Sequence, residues 1–299
     1  MMKEIRFGAI DIGSNAARLL ITSVTGLEEG EEVYFKKAAL VRVPLRLGFD
    51  AFVNGELSQR SIDRLMHTMQ AYFHTMKAYE VSEYRACATS AMREARNSNE
   101  IIKKVKKASG LDIEVLPGHS EARIIYNTQV TEKLDENRPY IYIDVGGGST
   151  EVSIFKKKEV IASKSFKIGT IRLLNGLVTI DKWIEMQDWV TLNSENMENL
   201  AGIGTGGNIS KIFKIVKKPK NTPLFSKEIE HLYRELEPLS LEQRIRLYDM
   251  KTDRADVIVP AANIFRNVMS WANCEEIYVP KKGLADGITR MLFDEYMGK

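Results

Sequence analysis

Two segments of the chain carry residue types that can grip a polyanion. Residues 7–15 read Phe7-Gly8-Ala9-Ile10-Asp11-Ile12-Gly13-Ser14-Asn15, and residues 141–150 read Ile141-Tyr142-Ile143-Asp144-Val145-Gly146-Gly147-Gly148-Ser149-Thr150. Each is a short apolar run followed by Asp, a β-branched residue, glycine and a small polar tail. Glycine lets a backbone approach an anion closely, and successive N–H groups can then face it. Asp11, Gly13, Ser14 and Asn15 are therefore candidate phosphate-binding residues in the first loop. Gly146, Gly147, Gly148, Ser149 and Thr150 are their counterparts in the second. A third segment, Gly202-Ile203-Gly204-Thr205-Gly206-Gly207, fits G-x-G-x-x-G loosely. Alone it is a weak dinucleotide signal. Beside the other two it reads as a third phosphate or nucleotide loop at a helix N-terminus, through Gly204, Gly206 and Gly207.

Charged residues near these loops supply the remaining chemistry. Arg93 follows Ala88-Thr89-Ser90-Ala91-Met92 at a helix start, where a guanidinium can join N–H groups in holding phosphate oxygens. Spacing alone allows an ion pair with Glu94 or Glu100 instead. Asp11, Asp144 and Glu151 are hard oxygen ligands. Asp144 and Glu151 suit Mg²⁺, or another divalent cation, held by one or two carboxylates plus substrate oxygens, although Glu151 by spacing alone reads as a solvated strand residue. Glu121 falls in the first turn of a helix after Pro117-Gly118. The helix dipole keeps a carboxylate there ionised, so it can accept a proton from water. Plain helix-start stabilisation is the simpler account of that position.

The elements that must position these residues follow from the same pattern. Asp11 and Asp144 lie 133 positions apart, too long a period for a solenoid. Two related domains are expected, 1–124 and 125–299, with the boundary near residues 120–137. Each loop is followed by another strand, over Arg18–Val24 and Glu151–Phe155, and then by a further one at Glu32–Phe35 and Glu159–Ala162. Each Asp-Gly turn therefore makes a β-hairpin, which argues against a Walker A loop, since that joins strand to helix and ends in Gly-Lys-Ser/Thr. A 3.6-residue period predicts a helix over Ser58–Tyr79, with Ser58 as N-cap. Further helices are expected over 121–131, 181–198, 209–216, 227–236, 241–248, 263–269 and 284–296. Strands are expected over 84–89, 111–116 and 276–279.

Composition bounds the rest. The chain has 299 residues, 44% hydrophobic and 28% charged, as in ordinary globular proteins. A net charge of +3 is too mild to argue nucleic-acid binding. No apolar run reaches the ~20 residues that span a bilayer. No signal peptide is visible, and Cys87 and Cys274 lack paired or metal-type spacing, so a reduced, cytoplasmic setting is expected. The four histidines make no zinc pattern. Lysines at 156–158, and at 211, 214, 217, 218 and 220, follow glycine-rich segments.

These residues carry a resemblance to the Ppx/GppA phosphatase family, the exopolyphosphatases and guanosine pentaphosphate phosphatases. Ile10–Leu20 resembles I-D-x-G-S-N-S-x-[RK]-L, with Ala16 for the usual Ser. Arg85–Asn97 resembles R-x-x-A-T-S-A-x-R-x-A-x-N, and Asp144–Glu151 matches D-x-G-G-G-S-T-E throughout. Ile168–Leu173, Gly202–Gly207, Asp253–Ile258 and Gly283–Gly287 resemble further family segments. The family's I-S-G-x-E-E-A appears as Leu116-Pro117-Gly118-His119-Ser120-Glu121-Ala122, which keeps the second glutamate and replaces the first with Ser120. Arg is replaced by Ala285 in the last segment.

The resemblance implies two duplicated ribonuclease H-like α/β domains of the actin-like ATPase and sugar kinase superfold, with an interdomain cleft. It implies a phosphoanhydride hydrolase of the short two-domain form, with Glu121 as catalytic base and Mg²⁺ or another divalent cation. Inorganic polyphosphate is the expected substrate. Guanosine pentaphosphate is the alternative. A non-catalytic polyphosphate or nucleotide sensor is the rival from another class, prompted by Pro117 and Ser120. No nucleic-acid or membrane partner is expected, and a homodimer is left open.

Overall fold

The computed structural model describes residues 4–28, 30–118, 135, 137–157, 159–280 and 282–298. The chain divides into two compact units, one made of residues 1–117 and 284–299, the other of residues 118–283.

The first unit is built on a five-stranded sheet. Strands β1 (Ile5–Ile12) and β2 (Ala17–Thr25) form the expected hairpin, and β3 (Tyr34–Val43) extends it. After helices α1 (Leu47–Val53) and α2 (Gln59–Ala78) come β4 (Glu83–Ala88), α3 (Ser90–Glu94), α4 (Ser98–Ser109) and β5 (Ile113–Val115). The spatial order is β3-β2-β1-β4-β5, antiparallel in the hairpins and parallel from β1 to β4 to β5. Ser58 caps α2 as expected, its side chain accepting from the Ser61 N–H. One face of the sheet buries Ile10, Ile12, Leu19 and Ile21 against apolar residues of α2 and α4, among them Leu65, Met69, Ile101 and Val105.

The second unit repeats the plan. It contains β6 (Tyr140–Val145), β7 (Thr150–Lys156), β8 (Glu159–Phe166), α5 (Thr170–Leu174), α6 (Ile180–Ser194) and β9 (Ala201–Thr205). Then follow α7 (Gly207–Ile215), β10 (Leu224–Phe225), α8 (Ser226–Leu236), α9 (Leu241–Tyr248), α10 (Thr252–Ala255), α11 (Ile258–Trp271) and β11 (Glu276–Tyr278). The order is β10-β11-β9-β6-β7-β8. Read from β8 to β11 it reproduces β3 to β5, with the same parallel and antiparallel pairings. The two units are therefore duplicated ribonuclease H-like α/β folds. Ile141, Ile143, Val145, Val152 and Ile154 feed a continuous core shared with α6, α7, α8 and α11.

The sequence places residues 284–296 in the second domain, and the structure differs. Helix α12 (Leu284–Tyr296) belongs to the first unit. The physical reason is a complementary aromatic face: Phe7 meets Phe293 and Tyr296 edge-on at 6.4 and 5.9 Å, and Phe35 meets Phe293 at 5.1 Å. Burying a side chain the size of Phe293 is worth about 1.5–3 kcal/mol, which outweighs proximity in sequence. Lys37 and Asp286 add an ion pair at 2.9 Å. Ala285, where the family carries Arg, is buried in this helix. Among the described residues no helix is long and apolar enough to cross a membrane.

Candidate active site

The residues singled out from sequence divide between the two units. Asp11, Gly13, Ser14, Asn15 and Arg93 lie in the first. Asp144, Gly146–Glu151, Gly204, Gly206 and Gly207 lie in the second. Glu121, the expected base, lies outside the described residues, as do the helix expected over 121–131 and the departure at Ser120.

In the first unit, the β1–β2 turn closes through the Gly13 N–H donating to Ala16 O at 3.0 Å. Asp11 is buried at the end of β1 and sits directly opposite Arg18 on β2, with the guanidinium at 3.2 Å. Desolvation pushes the Asp11 carboxyl above its ordinary range, and Arg18 offsets that only in part. Ser14 and Ser90 share a hydrogen bond at 2.8 Å, tying the turn to the start of α3. The backbone carbonyl of Asn15 accepts from the Arg46 N–H at 3.0 Å. Arg93 Nη1 donates to Leu116 O at 2.6 Å. That bond ties α3 to the chain leaving β5, two residues before Gly118. Glu100, one of the ion-pair partners considered for Arg93, pairs with Lys104 at 2.7 Å.

The second unit builds the same turn: Gly146 N–H donates to Ser149 O at 2.9 Å. Three carbonyls of this turn are then taken up from one side. Thr170 N–H donates to Gly146 O at 3.0 Å, Ile171 N–H to Gly147 O at 2.9 Å and Arg172 Nε to Gly148 O at 2.7 Å. In a trans peptide the N–H points opposite to the C=O, and no cis bond occurs among the described residues. The N–H groups of Gly147, Gly148 and Ser149 therefore turn away from α5. Gly169 permits this closeness, since a Cβ there would stand 2.5 Å from Gly147 O.

Asp144 and Glu151 face each other across β6 and β7. Directly opposite residues of an antiparallel pair share a sheet face, so the two carboxylates lie on the same side. Glu151 is buried rather than solvated; its Oε1 accepts from Ser149 Oγ at 2.6 Å and Ser165 Oγ at 3.0 Å. Tyr142 is also buried and donates to Asp144 Oδ2 at 3.3 Å. Burial, then the adjacent Asp144 charge, pushes the Tyr142 hydroxyl well above its usual range.

The third glycine segment proves to be two things. Gly204 lies inside β9 with a close apolar neighbour: a Cβ there would meet Ile277 Cδ1 at 2.8 Å and Ile209 Cγ1 at 3.0 Å. The structure thus assigns Gly204 to sheet packing and not to a loop. Gly206 and Gly207 do form the turn into α7. Gly206 has φ 92° and ψ 174°, and a Cβ on it would stand 2.9 Å from Asp144 Oδ1. Gly207 carries the Arg254 guanidinium against its Cα, and Arg254 Nη1 donates to Asn208 Oδ1 at 3.1 Å. Arg254 therefore stands at the N-terminus of α7, close to Asp144's loop. Sequence reasoning placed it only inside a family-like segment and gave it no role. Nothing short of the fold brings position 254 to position 207.

The sequence profile of the Ppx/GppA phosphatase family matches residues 35–295. The chain belongs to the Ppx/GppA phosphatase family. It is 25% identical over 325 residues to exopolyphosphatase 2 of Mycobacterium tuberculosis, covering 97% of this chain and 99% of that protein. It is 27% identical over 297 residues to the bifunctional 3-dehydroquinate synthase/phosphatase of Fusobacterium nucleatum, covering 91% of this chain and 44% of that longer protein. In fold it is similar to an exopolyphosphatase structure from Cytophaga hutchinsonii, with a TM-score of 0.82 at 23% identity, covering 98% of each chain. For a Ppx/GppA member the Asp144–Glu151 segment, the Gly206 turn and Arg254 form one contiguous candidate site within the second unit.

Proposed function

We propose that the chain is an exopolyphosphatase, hydrolysing terminal phosphoanhydride bonds of inorganic polyphosphate with release of phosphate. The observation that carries this reading is the hairpin turn at 146–149. Its three carbonyls are tied to α5 and Arg172, so its N–H groups turn together to the other side, beside a pair of carboxylates, Glu151 buried and Asp144 half-buried, and a helix N-terminus. That is chemistry for phosphoryl oxygens with a counter-cation. Full-length similarity to a protein named exopolyphosphatase supports polyphosphate over other anhydrides.

The donor set fits Mg²⁺. Asp144 offers a hard oxygen, Glu151 adds a second negative charge on the same face, and Gly206, which has no Cβ, stands beside Asp144 Oδ1. A bound divalent cation would offset charge on the phosphoryl oxygens. The remaining roles belong to the chain. The Gly147–Ser149 N–H groups and the α7 N-terminus orient phosphate oxygens, and Arg254 adds charge-assisted contacts. Asp11, Gly13, Ser14, Asn15 and Arg93 are proposed to hold further phosphates, and Glu121 to deprotonate the attacking water, on the strength of their match to the family motifs.

Phosphate release from long-chain polyphosphate, guanosine pentaphosphate and ATP, measured side by side with and without Mg²⁺, tests the proposal. Polyphosphate should be consumed fastest and only with the cation. Faster release from guanosine pentaphosphate would reassign the substrate. Tight polyphosphate binding without any phosphate release would convert the reading to a sensor.

A further inference from the structure

The duplicated fold supplies its own comparison for Asp144. Asp11 and Asp144 end equivalent strands, and their turns close with the same bond. The residues around them differ. Asp11 faces Arg18 on the hairpin partner and Cys87 on the parallel neighbour, with Ala9 two residues back. Asp144 faces Glu151 and Thr205, with Tyr142 two residues back. Tyr142, Asp144 and Thr205 share one sheet face, because Asp144 and Thr205 are register partners and Tyr142 is one strand period away.

The hydroxyl of Tyr142 touches both neighbours, Asp144 Oδ2 at 3.3 Å and Thr205 Oγ1 at 2.5 Å. An ionised carboxylate only accepts hydrogen bonds. The single tyrosine proton therefore goes to Asp144, and Thr205 donates to the tyrosine oxygen. This chain is buried, with Tyr142 3% and Thr205 1% exposed, so water does not compete with it. Its effect is directional. With Oδ2 held by Tyr142, Oδ1 is the oxygen turned toward Gly206.

We infer that Tyr142 is a positioning residue for the cation-binding carboxylate: Thr205 and Tyr142 together fix Asp144 so that Oδ1 meets the divalent cation. The inference rests on the proposed cation role of Asp144. The first unit needs no such device, since Arg18 fills the place opposite its aspartate.

The test is Tyr142→Phe, read by Mg²⁺ and Mn²⁺ titration calorimetry without substrate and by the Mg²⁺ dependence of phosphate release. Partners that orient a metal ligand are worth about 10–100-fold in metal affinity. The cation Kd and the half-activating Mg²⁺ concentration should therefore both rise about tenfold or more. Turnover at saturating Mg²⁺ should fall much less, a split that loosened packing does not produce. Thr205→Val removes the other end of the bridge and should weaken cation binding a few-fold; it carries the test if the phenylalanine variant fails to fold. Unchanged cation affinity in a folded Tyr142→Phe protein, or in Thr205→Val when that variant alone folds, would overturn the inference. Wild-type protein that binds no divalent cation would instead overturn the role given to Asp144, and this inference with it.

Discussion

Gly206 and Gly207 are adjacent, both glycine, and predicted to respond to alanine in different ways. Gly206 holds φ 92° and ψ 174°. That region is essentially restricted to glycine and costs other residues about 1–3 kcal/mol. The new Cβ would also stand 2.9 Å from Asp144 Oδ1, below normal contact, so the carboxylate must shift by a few tenths of an ångström. Together these put Gly206→Ala at about 2–4 kcal/mol of lost stability, or roughly 4–16 °C in Tm for a unit of this size. Gly207 has no positive φ, and its obstacle is the Arg254 guanidinium, whose Nη2 lies 2.2 Å from the Cβ position. A guanidinium at the end of a flexible side chain can swing away. Its bond to Asn208 at 3.1 Å is then the main loss, about 0.5–1.5 kcal/mol. Urea unfolding measures the stability difference, and phosphate release against polyphosphate concentration measures function. Gly206→Ala should lose stability and cation response together. Gly207→Ala should fold nearly normally and lose substrate affinity through Arg254. Equal stabilities, or a larger loss at Gly207, would refute the reasoning about both positions.

Glu121→Gln should lower turnover about 10²–10⁴-fold with substrate binding largely kept; near-normal turnover would remove Glu121 as the base. Arg93→Ala should weaken polyphosphate binding at low salt and do so less as salt rises, whereas unchanged low-salt affinity would return Arg93 to a structural role. Asp11→Asn tests the buried carboxyl. Its raised pKa means that stability present below pH ~4 is lost as pH rises through the folded value, so the amide should melt higher than wild type near pH 7 and the gain should vanish toward pH 3. A lower Tm for Asp11→Asn at neutral pH would show that the Arg18 contact outweighs desolvation.

Both hairpins were legible in the sequence because a period of two residues interrupted by Asp-x-Gly has few alternative readings. The long helix Gln59–Ala78 was legible for the same kind of reason, its apolar stripe being continuous over 20 residues. Helix Leu47–Val53 was not: it spans 7 residues and begins at Arg46 with φ 57°, without a side-chain cap. Strand β3 was expected only to Phe35 and runs to Val43, because most of its residues are exposed and show no alternation. The place of Gly204 inside a strand was hidden for a physical reason too. A glycine that admits Ile277 from a neighbouring strand looks, in one dimension, like a glycine that admits a phosphate. Arg254 and Tyr142 went unassigned for the opposite reason: each acts on a residue that only strand pairing or helix packing brings to it.

The duplication also bears on why the second unit tolerates what it does. Like charges directly opposite across two strands are unfavourable, yet Asp144 and Glu151 occupy such a pair. A sheet shaped for stability alone has a ready alternative, and the first unit uses it, with Arg18 opposite Asp11 at 3.2 Å. The backbone geometry does not force the difference, since the turn bonds are 3.0 and 2.9 Å and each aspartate faces the residue seven positions later. Two serine hydroxyls and a tyrosine hydroxyl donate to this carboxylate pair in the second unit. The first turn thus carries a cation opposite its aspartate, whereas the second places a carboxylate there, the arrangement expected if the divalent cation proposed above binds at Asp144.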